Sequence, residues 1–193
     1  MRITGREVGF QTFRAQRLAD GNYRSVARGS LLIPVSSDQL QASDDYSIEV
    51  SRPDGSVIQE VRISSDGKDL TQLELSRAEG EAWVVKGEMQ GKAVSERFAK
   101  PDALASVLDE NRRMLRVAHG EGPEQHYYRW LGAISPGKPL EHVMSRTGAS
   151  SVQISVGPLR VDAEVDERGA VRGAMQIGRM QIEMERIYVD GSL

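Results

Sequence analysis

Apolar and polar residues alternate with a period of two along most of this chain. Tyr46, Ile48 and Val50 are interleaved with Ser47, Glu49 and Ser51. Val161, Ala163 and Val165 are interleaved with Asp162, Glu164 and Asp166, and Met180, Ile182 and Met184 with Gln181, Glu183 and Glu185. Successive side chains of a strand point to opposite faces, so this pattern predicts strands with one face on a core and the other in water. Turn dipeptides punctuate the pattern. Asp20-Gly21, Asp54-Gly55, Asp66-Gly67, Glu79-Gly80, Gln90-Gly91 and Arg168-Gly169 offer the positive φ angles that tight hairpins need. Between the turns, 8–18, 23–33 (ended by Pro34), 46–52, 57–64, 70–77, 82–89 and 92–98 read as strands, at about ten residues per strand and turn, the mark of an all-β meander. Segment 38–44 is polar and reads as a turn or a short helix. In the first strand Phe10 and Phe13 fall on opposite faces, which predicts a bulge or cover on both sides.

One stretch breaks the period. From Pro101 to about Ala118, Leu104, Val107, Leu108, Leu115 and Ala118 recur at helical spacing, with Asp102, Asp109, Glu110, Arg112 and Arg113 mostly off that stripe. Proline suits a first helical turn, Asp102 and the late Arg112, Arg113 and Arg116 complement the helix dipole, and Gly120 can end the helix. After it, 125–133 reads as a strand, Ser135-Pro136-Gly137-Lys138-Pro139 as a loop, and 142–146, 151–156, 159–166, 170–176 and 180–189 as the closing strands. No strict repeat and no shift in composition marks a boundary. The predicted architecture is mainly antiparallel β: a strongly curved sheet or half-open barrel with one amphipathic helix packed on it. The expected organisation is a single domain over 1–193, with a meander over about 2–98, the helix over about 101–118 and a second β-block over about 125–189.

Composition narrows the function classes. Apolar residues make up 39% and aromatics only 5%, and so few aromatics suit a thin sheet-and-helix layer better than a dense α/β core. The net charge of −3 is built from interspersed signs, so no basic footprint for nucleic acid is present. No apolar run approaches the ~20 residues that a transmembrane helix needs. The absence of cysteine excludes disulfides, thiolate metal sites and cysteine nucleophiles. It leaves the compartment open: a periplasmic or lipid-anchored protein whose leader has been removed, or otherwise a cytoplasmic one.

Candidate chemistry is sparse. His119, His126 and His142 lack the close spacing of a zinc motif, although His119 and His126 flank a Gly-Glu-Gly-Pro loop with Glu121 and Glu124 nearby. Asp162, Glu164, Asp166, Glu183 and Glu185 could form a cation site or an acid/base pair. A solvated acidic face balanced by Arg160, Arg172, Arg179 and Arg186 is the plainer reading. No nucleophile elbow, phosphate loop or dinucleotide fingerprint occurs, and no catalytic residue, cofactor or metal ligand is assigned. Tyr127, Tyr128 and Trp130 form the aromatic cluster, with His126, Tyr128 and Trp130 on one strand face. That face reads as a core strand with one wet edge or as a ligand wall. Met180 and Met184 add a soft, adaptable surface.

The opening Ile3-Thr4-Gly5-Arg6-Glu7-Val8-Gly9-Phe10, the following Asp20-Gly21 turn, Pro136-Gly137-Lys138, and the close from Leu159 to Val171 around Asp166-Glu167-Arg168-Gly169 together resemble bacterial extracytoplasmic β-domains. Some of these occur ahead of transglutaminase-like modules. A related architecture is that of the Lol lipoprotein carriers, in which a half-open antiparallel sheet wraps a helix and an apolar cavity. The resemblance implies an extracytoplasmic, ligand-holding or accessory role and carries over no catalytic residue. On this footing the expected function is a non-enzymatic binding module for an apolar or amphipathic ligand such as a lipid or lipoprotein acyl chain. Its cavity would be walled by Leu104, Val107, Leu108, Leu115, Tyr128, Trp130, Met180 and Met184. The alternatives are a cell-envelope interaction or scaffold domain without a small-molecule ligand, and an enzyme with a site of scattered residues.

The helical stripe gives a direct test. Leu108→Asp places a carboxylate on the buried face and should cost about 3 kcal/mol or more, because the charge must be desolvated or protonated. An unchanged melting temperature would show that this face is not buried.

Overall fold

Hairpin chemistry builds most of the chain. The computed structural model describes residues 1–3, 6–34, 40–77, 82–122, 124–132, 134–177 and 180–186, with the backbone alone described for Arg6, Ile33, Pro34, Leu40, Ile177 and Met180. Its strands are β1 (Arg2–Ile3), β2 (Arg6–Glu7), β3 (Gly9–Arg17), β4 (Tyr23–Pro34), β5 (Leu40–Ser51), β6 (Val57–Ser65), β7 (Leu70–Arg77), β8 (Trp83–Met89) and β9 (Lys92–Phe98). The helix α1 (Val107–Ala118) follows, and then β10 (Glu124–Arg129), β11 (Leu140–Arg146), β12 (Ser151–Val156), β13 (Leu159–Asp166), β14 (Gly169–Ile177) and β15 (Met180–Glu185).

Strands β3 to β9 form one antiparallel meander in sequence order. Strands β10 to β15 form a second, which β1 and β2 extend at its far edge. The two sheets meet at Val8. Its N–H donates to the Met1 carbonyl at 3.0 Å, while its own carbonyl accepts from Leu32 N–H at 2.7 Å. Residues 6–17 therefore stitch both sheets into one winding ribbon. The ribbon is not closed, which makes the architecture the half-open, mainly antiparallel β fold with one helix that the alternation predicts.

The helix packs on β10 to β14. It starts later than the apolar stripe suggests. Ser106 is the N-cap, its hydroxyl accepting from Asp109 N–H at 3.0 Å, with Asp109 and Glu110 in the first turn and Arg116 in the last. Residues 104–106 are extended because their backbone groups are taken. Leu104 O accepts from Val57 N–H at 2.8 Å, Ala105 N–H donates to Tyr128 O at 2.8 Å, and Ser106 N–H donates to Gly55 O at 2.9 Å. Pro101 and Asp102 thus precede the helix and are not its first turn.

Apolar burial falls into two separate clusters. Met114, Val117 and Ala118 of α1 pack with Tyr127, Met144, Val152 and Val165 of the second sheet. Val57, Leu73, Leu75, Trp83 and Val85 of the first sheet pack with Leu104 and Trp130. The closing hairpins follow their period. Ala163, Val165 and Ile182 are buried and Asp162, Glu164, Asp166, Glu183 and Glu185 exposed, while Val161 and Met184 are half-buried.

Strand β5 reverses its expected faces. Ser47, Glu49 and Ser51 are buried, and Tyr46, Ile48 and Val50 are half-buried on the outer face. The inner face of β5 looks toward the start of α1 and the end of β10, where charged partners wait, so the polar set turns inward. Phe10 and Phe13 do lie on opposite faces of β3, but neither is covered, because β3 is the outermost strand of its meander. Residues 40–44 belong to β5 and are neither turn nor helix. The expected Glu79-Gly80 turn, Arg179, and the 187–189 end of the last strand lie outside the described residues, as does the side chain of Met180.

Two turn glycines separate backbone strain from crowding. Gly21 has φ +87° with nothing within 4 Å of an added Cβ, while Gly55 has φ +90° and would set its Cβ 2.5 Å from Asp109 Cβ. Gly21→Ala should cost about 1 kcal/mol, the strain alone. Gly55→Ala should cost clearly more, about 2–4 kcal/mol, because the loop must also move off the first turn of α1. Equal losses on chemical denaturation would show that the 54–56 loop is not packed against the helix.

Candidate functional site

A layer of charge separates the two apolar cores. Glu49 and Glu60 face each other across β5 and β6, both only 3% exposed. Like charges directly opposite in a ladder repel, so this pair needs compensation. Arg62, two residues along β6, bonds to Glu60 at 3.2 Å. Arg129, at the end of β10 and 8% exposed, bonds to Glu110 of α1 through Nη1 and Oε2. Tyr127 Oη donates to Glu110 Oε1 at 2.7 Å, and His142 Nδ1 lies 3.3 Å from the same oxygen. Both oxygens of Glu49 lie within bonding distance of Val107 N–H, at 3.1 and 3.2 Å. The carboxylate of one sheet therefore sits at the positive end of the helix, and the first turn of that helix is anchored to the other sheet.

Each protonation state has a structural cause. Burial pushes Glu49 up from 4.5 to about 7; Arg129 and the Val107 N–H oppose the rise, while Glu60 and Glu110 add to it. Burial also raises Glu60, against the pull of Arg62 and Arg129. Burial would raise Glu110 too, but Arg129, His142 and the Tyr127 hydroxyl hold it down at about 2. Tyr127 is raised by its own burial and by Glu110. Desolvation works against the Arg129 charge, yet Glu110, Glu49 and Glu60 outweigh it and raise Arg129. Burial thus leaves Glu49 poised to gain or lose a proton near neutrality and shifts Glu60 in the same direction. Around them Ser25 Oγ, Ser51 Oγ, Arg62 Nε and His142 Nε2 are buried without a hydrogen-bond partner among the described residues.

A cleft of about 340 Å³ opens beside this layer, at the start of α1. Leu104, Ala103 and Ala105 line it together with Asp54, Ser56, Asp109, Arg113, His126, Tyr127 and Tyr128. Arg113 is fixed from three sides: Nε to Asp109 Oδ2 at 2.6 Å, Nη1 to Gln125 Oε1 at 3.2 Å, and the guanidinium 5.3 Å from the centre of the Tyr127 ring. His126 is bracketed by Glu124 at 2.7 Å and Glu141 at 3.0 Å, and these two carboxylates raise its pKa. Asp54 is lowered by the backbone N–H and hydroxyl of Ser56. Tyr127 joins the two regions, since its ring lines the cleft and its hydroxyl reaches Glu110. The arrangement offers a small apolar floor inside a charged rim. Among the described residues no group of three or more histidines and carboxylates is placed to hold a metal ion.

Of the residues expected to wall a cavity, Leu104 and Tyr128 line this cleft. Leu104 and Trp130 belong to the core of the first sheet, and Leu115 packs on that of the second. Leu108 is buried in α1, Val107 is half-buried beside Glu49, and Met184 is half-buried on β15. The structure does not gather them around one space. On β10 the inward residues are Tyr127 and Arg129, while Tyr128 and His126 face outward. Trp130 is buried because the chain leaves the strand after Arg129. Periodicity could not show the charged layer, because a glutamate in an alternating strand reads as water-facing. One signal was present: Ser106-Val107-Leu108-Asp109 fits a serine cap followed three residues later by an acid, and so marks where the helix begins.

No protein-family model matches the sequence, and neither does any curated protein. Among solved structures, the chain is similar to a β-barrel-like protein of the DUF1849 domain of unknown function from Brucella abortus, with a TM-score of 0.68 and 8% identity over 92% of this chain and 85% of that one. A DUF1089 family protein from Pseudomonas aeruginosa aligns with a TM-score of 0.47 and 15% identity over 86% of this chain and 88% of that one. At such identity the first likeness defines the class, a β-barrel-like fold, and nothing finer.

The Glu49 carboxyl gives a pH test with a definite sign. Its folded value exceeds the unfolded one, so its contribution to stability is full below pH 4.5 and is lost as pH rises through about 7. Glu49→Gln keeps an acceptor for Val107 N–H and removes the titration. Relative to the variant, the wild type should lose up to about 3 kcal/mol between pH 4.5 and 8, read from urea unfolding. A difference that does not change with pH would show that Glu49 is ionised throughout.

Proposed function

We propose that this protein is a non-enzymatic, extracytoplasmic binding module that holds an amphipathic ligand, such as a lipid or a lipoprotein acyl chain with its polar end, at the cleft beside α1. The observation that carries this reading is the cleft itself. It lies between the first-sheet loop 54–56, the extended segment 103–105, the first turns of α1 and strand β10, and it combines an apolar floor with fixed polar groups. Small-molecule sites have this character, a concave and partly apolar surface with a few polar groups set to orient the ligand. Arg113, held by Asp109 and Gln125, is preorganised to meet an anionic head, and Tyr128, 39% exposed, offers a flat apolar surface beside it. The half-open β fold with a single helix supports a carrier-like role, and the resemblance to extracytoplasmic β-domains supports the compartment.

The reading differs from a purely apolar cavity in one respect. The interior between sheet and helix is ionic, so an acyl chain would rest on Leu104, Ala105 and Tyr128 and would not enter the charged layer. Delipidated protein titrated with a dansylated undecanoic acid should show saturable binding. Arg113→Ala or Tyr128→Ala should each weaken it by roughly tenfold, the size of a single well-placed contact. Lack of saturable binding by the wild type, together with no lipid in native mass spectra of freshly purified protein, would refute the proposal.

A further inference from the structure

The outer face of the first sheet, turned away from α1, carries protruding apolar side chains beside unpaired arginines. Phe10 (48% exposed) and Leu70 (56% exposed) stand at the two ends of one cross-strand row, from Phe10 through Ser30, Asp44 and Ser65 to Leu70. Leu32 (44% exposed) lies two residues beyond Ser30 on the same face. Next to this row the half-buried residues of β4, β5 and β6 form an apolar strip that joins neither core. Arg14, Arg24 and Arg28 rim the strip, directly opposite Val26, Val50 and Tyr46. All three are exposed, and none has an ion pair among the described residues. Of the acids on this face, Asp44 lies within the Phe10 row, diagonal to Arg28, Glu74 is bonded to Gln59 at 2.8 Å, and Glu88 stands on β8.

We propose that this face docks on an anionic lipid surface. A sheet face in water normally alternates its apolar side chains toward the core, and a contiguous exposed set marks a contact surface. Here β5 and β6 have turned Glu49 and Glu60 inward and Ile48, Val50, Val61 and Ile63 outward, the inverse of that arrangement. Protruding phenyl and leucyl groups suit the boundary between headgroups and acyl chains, which takes apolar side chains to a depth of a few ångströms. Arginine stems can cover apolar surface while their guanidinium groups reach phosphates, and the three charges concentrate on the β3–β4 side, where Phe10 and Leu32 are exposed. The exposed arginines beside the apolar strip complement an anionic surface, and this charge complementarity points to the bilayer. The face is separate from the cleft, and the inference does not depend on what the cleft holds.

Co-sedimentation with vesicles of phosphatidylcholine, alone or mixed with phosphatidylglycerol, tests this on the full chain. The wild type should bind the anionic vesicles at least roughly tenfold better than the neutral ones, and high salt should release it as the screening length falls to ~3 Å near 1 M. Binding should fall by at least about tenfold in R14E/R24E/R28E and in F10S/L32S. It should stay within about twofold of wild type in R116E/R160E/R168E, which reverses three exposed charges away from this face. Circular dichroism confirms that each variant is folded, and R14Q/R24Q/R28Q makes the same comparison if charge reversal unfolds the protein. Failure of the wild type to bind phosphatidylglycerol vesicles overturns the proposal and leaves a protein as the cover of this face. Undiminished binding of the folded arginine variant, or an equal loss in the R116E/R160E/R168E control, overturns it as well.

Discussion

The buried contact between Glu110 and Arg129 fixes where α1 sits on the second sheet, and the helix's link to the first sheet depends on that position. Glu110 is in the first turn of α1 and Arg129 at the end of β10, and both are taken out of water. An isolated charge in that position would cost several kcal/mol, and each is tolerable only because the other is there. The pair also fixes the axial position of the helix. With Glu110 tied to Arg129 and Tyr127, the helix N-terminus falls where Glu49 can accept from Val107 N–H. One anchor faces the second sheet and the other the first, so α1 links two sheets that meet through their backbones at Val8.

That linkage explains why the interior is ionic where a β-meander would be expected to be apolar. Each apolar core is small and belongs mainly to one sheet. Between them lie the long charged side chains of Glu49, Glu60, Arg62, Glu110 and Arg129. Three glutamates and two arginines in that layer leave one negative charge too many. Burial, with the nearby carboxylates adding to it, drives the Glu49 carboxyl toward neutral pH and raises Glu60 as well, while Glu110, better paired, stays ionised. Burying two charges imperfectly matched costs stability but sets the register of helix and sheets, because a slip of one residue would strand every partner.

The same inversion shapes the surface. Since β5 and β6 spend their inward positions on Ser47, Glu49, Ser51, Glu60 and Arg62, their branched residues Ile48, Val50, Val61 and Ile63 must face outward. The polar interior and the apolar exterior of the first sheet are two consequences of one choice of face. The second sheet makes the ordinary choice: Ala163, Val165 and Ile182 are buried, with carboxylates in solvent. A single winding ribbon thus has two different characters, with ordinary alternation in the second sheet and inverted faces on β5 and β6 of the first.

How much of this could be read from the chain alone follows from the physics of each signal. Period-two alternation and glycine turns are local, so strands 151–156 and 159–166 appear with the bounds predicted for them, and most others within a residue or two. The half-open β fold with one helix follows from their number and order. Local patterns do not say which face of a strand is inside. The alternation around Ile48 is as regular as that around Ala163, and the two point in opposite senses, because only the arrival of α1 and Arg129 made an inward glutamate favourable at β5. The helix start was displaced for the same reason: residues 104–106 have helical spacing, but backbone bonds to Gly55, Val57 and Tyr128, remote in sequence, keep them extended. The sequence by itself determined the elements, their order and the layer architecture, all set by nearest-neighbour geometry. The tertiary structure alone decided the faces, the charged layer and the cleft, because a buried charge is settled by partners that the chain brings together only when it folds.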